Sequence, residues 1–386
     1  MLDFNYLVDT KIFFGRDRLD SLGPEIKKYA DRVLIVYGRS SIKQNGIYQK
    51  IVKILEANNI FYKELSGVRP NPRIKTVREG VALCRENNLG FVLAVGGGSV
   101  IDCAKAVACG TLYDQDPWDF FSKQTEIKQA LALGTVLTLA ASGSEMNGYS
   151  VISNEQTQEK LAAGSDILRP KFSVLDPEVM FNLPKEQTAA GVVDIYVHVI
   201  EQYFSSVSGA FLQDRLAEAI FKTCLHYGSV VMNEPKNYQA RANIMWASSL
   251  ALCGLLSYGK IGDWSTHAIE HAVSAVYDVT HGVGLAIIVP FWMNAVLNET
   301  TVDKFAEYAI NVWGLEGEDK FALAKQSIKK TREFFDSLAM PKTLREVGVK
   351  ESELSLLVSK AMVFGPIGTF KKLETLDVLG ILKAAF

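Results

Sequence analysis

FVLAVGGGSVIDCAK, residues 91–105, passes from a continuous apolar run through three consecutive glycines into a helical pattern. A short apolar run bounded by glycine reads as a buried strand, and the stretch Val100–Cys109 that follows reads as a helix. Glycines at such a strand–helix turn let the backbone come close to a ligand. The first turn of the helix adds unpaired N–H groups and the positive end of its dipole, a combination suited to a pyrophosphate. The stretch is neither G-x-G-x-x-G nor a loop ending in G-K-[ST], and by itself it is equally consistent with a plain tight turn.

Working outward, the same alternation recurs. Arg32–Tyr37 (RVLIVY) is an apolar run ending at Gly38, followed by a helical pattern over Ile47–Asn58. The turn-rich Gly67–Pro72 leads to a helix over Ile74–Asn87 and back to the Phe91 run. Further strands are expected at Thr135–Leu139 and Phe172–Leu175. Strands alternating with helices at this spacing imply βαβ units and a parallel sheet. From Pro184 the pattern becomes helical throughout, over Thr188–Phe204, Gln213–Tyr227, Tyr238–Leu256, Trp264–Tyr277 and Leu285–Leu297. The expected architecture is therefore a Rossmann-like α/β domain with a parallel sheet over residues 1–184, and an all-α domain over 185–386. The active-site cleft is expected between the two. No internal repeat is evident.

Composition narrows the function classes. The 386 residues are 48% hydrophobic, with 41 basic against 43 acidic side chains and a net charge of −2. That balance gives no basic surplus for nucleic acid or membrane surfaces, and the apolar fraction can bury a large core. Five cysteines (Cys84, Cys103, Cys109, Cys224, Cys253) lack any C-x-x-C spacing, which argues against a disulfide framework or thiolate metal site and suits a reducing cytosol. The N-terminal segment does not read as a signal peptide and no run of eighteen apolar residues occurs, so a cytoplasmic protein is expected.

Two patterns carry chemistry. A second loop, Thr138–Glu145 (TLAASGSE), follows another apolar run. Two such loops at the C-terminal ends of neighbouring parallel strands would form the ligand crevice of an open α/β sheet. In the helical half, Asp194 and His198 are four apart, as are His267 and His271, and His281 follows ten residues later. On helices each pair shares one face. A mixed oxygen and nitrogen donor set suits Zn²⁺ or Fe²⁺ over Ca²⁺ or Mg²⁺. The fifth histidine, His226, has no partner at metal spacing.

GGGSVIDCAK at 96–105, LAASGSEMN at 139–147, GVVDIYVHVIEQY at 191–203 and H-x3-H-x9-H at 267–281 together resemble the iron-containing (group III) alcohol dehydrogenase family over nearly the whole chain. WDF at 118–120, VLDPEV at 174–179 and RANIMWAS at 241–248 resemble its butanol dehydrogenase-like, NADPH-dependent aldehyde reductase branch. The resemblance implies one divalent metal, Fe²⁺ or Zn²⁺, on Asp194, His198, His267 and His281, with His271 a proton-relay group. It places the cofactor on Gly96, Gly97, Ser99, Asp102, Thr138 and Ser142, with Asn147 and Lys160 toward the nicotinamide ribose. It also implies a homodimer acting on short- to medium-chain primary alcohols or aldehydes by NAD(P)H hydride transfer.

The chain departs from common members at Gly38-Arg39-Ser40-Ser41, where NAD-preferring relatives often carry Asp. Gly38, Arg39 and Ser40 suit a 2′-phosphate, so NADP(H) is expected over NAD(H). The second loop carries Ala140-Ala141 in place of a Pro- or Thr-containing version. Trp246, Trp264 and Tyr149 are candidates for shaping the substrate side. Two alternatives fit the same plan: a lyase resembling dehydroquinate synthase, and a non-catalytic metal-stapled binding protein. The first would need basic residues near the metal, yet residues 240–285 contain only Arg241 and Lys260.

Overall fold

A computed structural model describes all 386 residues. Eight strands occur in chain order: β1 Lys11–Phe14, β2 Arg32–Tyr37, β3 Phe61–Leu65, β4 Phe91–Gly96, β5 Ala132–Leu137, β6 Tyr149–Asn154, β7 Glu159–Gly164 and β8 Phe172–Leu175. Six of them form one sheet in the order β1-β8-β5-β4-β2-β3, with every neighbouring pair parallel. The central strand β4 is buried at all six positions. A parallel strand covered on both faces has no polar side to alternate with, which is why FVLAV reads as unbroken apolar sequence.

Helices cover the sheet through regular apolar stripes. Ile47–Ala57 buries Ile47, Ile51 and Leu55, spaced one turn apart against the core that contains Val33, Ile35, Leu93 and Phe172. Phe91 stacks on Phe172 with centroids 5.8 Å apart. Gly134 of β5 makes room for that ring, since a Cβ there would lie 2.5 Å from Phe172 Cζ.

Three details of the strands differ from the expected pattern. Strand β5 runs Ala132–Leu137 rather than Thr135–Leu139, because its partner β4 ends at Gly96, opposite Leu137. The edge strands β1 and β3 are short and only partly buried, so their sequences lack a continuous apolar run. The hairpin β6–β7 is antiparallel and stands outside the main sheet.

The chain divides into two compact units: Leu7–Leu183 with Lys236–Ser249, and Met1–Tyr6 with Pro184–Pro235 and Leu250–Phe386. A cut at residue 184 alone does not describe this division. Most of helix Tyr238–Ala251 goes with the sheet, where Trp246 meets Phe14 edge-on at 5.9 Å and Ser249 Oγ donates to Glu145 Oε1 at 2.5 Å.

In the helical unit, Lys185–Tyr203 is buried at every position from Thr188 onward, so it forms the centre of its unit and not an amphipathic edge. It packs on helices Phe211–Asn233 and His281–Val296. Pro290 lies inside the latter helix and cannot donate to Ala286 O. Arg332 supplies that missing partner, with Nη1 donating to Ala286 O at 2.9 Å. No helix is long and apolar enough to cross a membrane. All five cysteines are buried, and none is joined in a disulfide.

Candidate active site

The strand order reverses between β2 and β4, because the chain leaves β2 for the β3 edge and then returns to β4 on its other side. Ligands of open α/β sheets bind beyond the carboxyl ends of the strands at such a switch point. Gly38, Arg39 and Ser40 follow β2, Gly96 ends β4 and Gly97–Ser99 follow it, and Thr138–Ser142 follow β5. Arg39 and Ser40 are exposed. Helix Gly98–Thr111 starts at the glycine loop, so the N–H groups of its first turn have no acceptor within the helix.

The two loops approach closely because glycine allows it. A Cβ on Gly98 would lie 2.2 Å from Ser142 Oγ, and one on Gly97 would lie 3.0 Å from Leu139 Cβ. Thr138 N also donates to Gly96 O at 3.0 Å. Ala140 and Ala141 are both buried in this loop.

Lys105, fully buried one turn past Asp102, ties the loops together from beneath. Its ammonium donates to Ser144 Oγ at 2.7 Å, Asn147 Oδ1 at 3.0 Å and Tyr149 O at 2.8 Å. Ser144 Oγ in turn donates to Asp102 Oδ1 at 2.6 Å, and Val151 N donates to Asp102 Oδ2 at 2.9 Å. Burial pushes the Lys105 ammonium down to about 7, opposed by attraction to Asp102 and Glu145. Burial likewise raises the Asp102 and Glu145 carboxyls. Asp102 and Asn147 therefore spend their side chains on the loop's own framework. Asn147 Nδ2 is also engaged, donating to Gly143 O at 3.0 Å. Lys160 lies on β7, buried opposite Ser153.

The helical unit assembles the second constellation. Helix Lys185–Tyr203 carries Asp194 and His198 one turn apart, and helix Ser265–Tyr277 carries His267 and His271. His281 is the first residue of helix His281–Val296. One ligand atom each from Asp194, His198, His267 and His281 lie within 4.8 Å of one another. His198 Nδ1 and His281 Nε2 stand 3.4 Å and 3.5 Å from Asp194 Oδ1. Gly282 sets this approach: a Cβ there would lie 2.1 Å from Ala190 O, one turn before Asp194.

Asp194 Oδ1, His198 Nδ1 and His267 Nε2 are all buried without a hydrogen-bond partner. Orphaned buried polar atoms are rare, and three facing one point match what a cation requires. Burial lowers the His198 imidazole to about 4, opposed by Asp194, so the ring is neutral and offers a lone pair. A carboxylate with imidazole donors fits Fe²⁺ or Zn²⁺.

Two carboxylates at this site were not among the residues expected from sequence. Glu201, fully buried, receives His267 Nδ1 at 2.9 Å, Thr266 Oγ1 at 2.5 Å and the backbone N–H groups of Trp264 and His267 at 2.7 and 3.0 Å. Glu270, also fully buried, meets His281 Nδ1 and Ser274 Oγ. The signal was present: Glu201 is seven residues past Asp194, two turns along the same helix face, and Glu270 is three past His267.

His271 is half-buried, with its ring 6.2 Å from His267 and 5.5 Å from His281, and it groups with Glu270 and His281. Trp264 packs its ring 5.3 Å from that of His267, in the left-handed backbone conformation that precedes helix Ser265–Tyr277. Tyr149 and Trp246 belong to the sheet unit and are partly exposed. His226 is exposed against Tyr227, apart from this cluster.

Residues 9–177 match the family model described as iron-containing alcohol dehydrogenase, and residues 188–386 match the C-terminal model of the Fe-containing alcohol dehydrogenase family. The chain is 53% identical to NADH-dependent butanol dehydrogenase A of Clostridium acetobutylicum, over all of both chains. It is 39% identical to the NADPH-dependent aldehyde reductase YqhD of Escherichia coli, over 93% of each. Among solved structures, NADH-dependent butanol dehydrogenase A from Thermotoga maritima superposes with a TM-score of 0.96 at 39% identity, covering 100% of this chain and 99% of that one.

Proposed function

Because the chain belongs to the iron-containing alcohol dehydrogenase family and is an NAD(P)H-dependent alcohol dehydrogenase or aldehyde reductase, we propose a specific division of labour among its residues. Asp194, His198, His267 and His281 hold one divalent cation, and His271 carries the proton. The loops at Gly96–Ser99 and Thr138–Ser142 seat the dinucleotide, and Gly38, Arg39 and Ser40 receive the 2′-phosphate of NADPH. The substrate is a short- to medium-chain primary alcohol or its aldehyde.

The observation that carries this reading is the set of three orphaned, buried lone-pair atoms converging from Asp194, His198 and His267. When bound, such a cation supplies Lewis-acid polarisation of the substrate oxygen, and the nicotinamide supplies or accepts the hydride. The chain's own part is to orient and to move a proton. Trp264 walls the ring of His267 from one side, and His271 stands half-buried beside the cluster, suited to exchange a proton with water. The Gly98–Ser142 contact and the Lys105 strut hold the nucleotide loops in one arrangement.

The cofactor preference rests on Arg39. An exposed guanidinium with no acidic residue in the Gly38–Ser41 turn favours a phosphate there. The name of the E. coli relative agrees with this preference, and that of the C. acetobutylicum relative opposes it. The decisive experiment follows NADPH and NADH oxidation with butanal, alongside metal analysis of anaerobically purified protein. We expect turnover and about one Fe²⁺ or Zn²⁺ per chain in the wild type, with both lost together in His198→Ala and His267→Ala. Normal metal content and full turnover in those variants would refute the ligand assignment.

A further inference from the structure

We propose that Glu201 and Glu270 are positioning residues, which fix the tautomer and ring angle of His267 and His281 so that both imidazoles present an unprotonated Nε2 to the cation. The proposal rests on the cation reading above and names the groups that prepare the apoprotein for it.

The argument is one of donors and acceptors. Glu201 Oε2 faces the backbone N–H of Trp264 at 2.7 Å, and Oε1 faces the backbone N–H of His267 at 3.0 Å. A backbone N–H cannot reverse its role, so both oxygens accept. His267 Nδ1, 2.9 Å from Oε1, must therefore donate. A neutral imidazole carries one ring proton, so this places the lone pair on Nε2. That atom is the one that is buried with no hydrogen-bond partner. Glu270, one turn past His267 on helix Ser265–Tyr277, places a second buried carboxylate behind a ring nitrogen, with Oε2 on His281 Nδ1 and Oε1 beside Ser274 Oγ. His281 Nε2 then points toward Asp194 Oδ1, 3.5 Å away.

Both glutamates are completely buried, and each is paired with a histidine that would bind the cation. A buried carboxylate behind a ligating histidine orients the ring and raises its basicity, and its loss typically weakens metal binding 10–100-fold. The dual role of Glu201 also explains the local fold. The same carboxylate that holds His267 receives Trp264 N and Thr266 Oγ1 at the start of helix Ser265–Tyr277, so ring and helix terminus are fixed together.

The test uses the metal-depleted full chain and Zn²⁺ in competition with a chromophoric chelator. Glu270→Gln is the primary variant, because Glu201 also holds the backbone N–H groups of Trp264 and His267, and Glu201→Gln is the second. Each is expected to bind Zn²⁺ 10–100-fold more weakly than the wild type while keeping its helical circular dichroism. In ¹⁵N-histidine-labelled apoprotein, long-range ¹H–¹⁵N spectra should show the Nδ1–H tautomer at His267 and His281. Glu270→Gln should shift the signals of His281 and leave those of His267 in place. A folded Glu270→Gln variant binding Zn²⁺ within twofold of the wild type would overturn the proposal, as would Nε2–H tautomers at both histidines of the wild-type apoprotein. His267→Ala and His281→Ala separate the two readings. Undiminished Zn²⁺ binding in these variants refutes the cation site itself, whereas lost binding beside a normal Glu270→Gln refutes only the role of the glutamates.

Discussion

Gly282→Ala tests whether the helix junction at His281 sets the site geometry. The added Cβ would meet Ala190 O at 2.1 Å, its carbonyl carbon at 2.7 Å and its Cα at 3.0 Å, all of them backbone atoms that no rotamer change can move aside. An ordinary contact lies at roughly 3.5 Å, so the start of helix His281–Val296 must retreat from helix Lys185–Tyr203 by roughly 1.4 Å. Asp194 lies one turn beyond Ala190, and His281 Nε2 now stands 3.5 Å from its Oδ1. Metal–ligand distances tolerate about 0.2 Å, so a retreat of this size withdraws His281 from coordination. Overpacking of this kind destabilises by about 1–3 kcal/mol, and in a unit of this size that lowers Tm by roughly 2–12 °C. The chain should fold, melt earlier, and hold cation at least about tenfold more weakly, as read by a melting curve and by Zn²⁺ competition. Wild-type affinity with an unchanged Tm would refute the claim that backbone contact at Gly282 places His281.

The remaining expectations concern cofactor, proton and pH. Arg39→Asp reverses the charge beside the proposed 2′-phosphate site, and the NADPH/NADH ratio of kcat/KM should fall at least about tenfold; an unchanged ratio would remove Arg39 from cofactor selection. His271→Ala should keep its metal while kcat drops by about 10²–10⁴ and the pH–rate profile loses one limb, whereas an unaltered profile counts against a proton-relay role. Lys105 is held at about 7 in the folded chain against an ordinary 10.5. The unfolded chain then binds more protons between pH 7 and 10.5, so this residue makes stability rise with pH across that window, by at most about 5 kcal/mol. Urea unfolding of Lys105→Met between pH 7 and 10 should show a flatter dependence than the wild type; parallel curves would contradict the burial argument.

How much was legible depended on where each signal resides. Both the FVLAV run and RVLIVY mark buried parallel strands by composition, and both appear in the sheet with nearly the expected bounds. The edge strand KIFF at Lys11–Phe14 carries no such mark, because an edge strand is half-covered and its identity comes from pairing with β8. Helix Tyr238–Ala251 was legible as a helix, yet its grouping with the sheet unit rests on contacts such as Trp246 with Phe14, 232 positions apart in the chain.

At the site, i,i+4 spacing alone puts Asp194 beside His198 and His267 beside His271, since a helix turns every 3.6 residues whatever surrounds it. The fold class, the glycine loop and the histidine set were thus determined by the chain's local chemistry. Local spacing assigned no separate tasks to Glu201, Glu270 and Lys105. A carboxylate on a helix reads as a solvated charge until packing removes the water and leaves a histidine N–H as its partner. Lys105, likewise, became a strut only when β6 and the Ser142–Asn147 loop surrounded it with three acceptors. Burial and long-range approach decided those roles, because hydrogen-bond partners far apart in sequence become obligatory only where water is excluded.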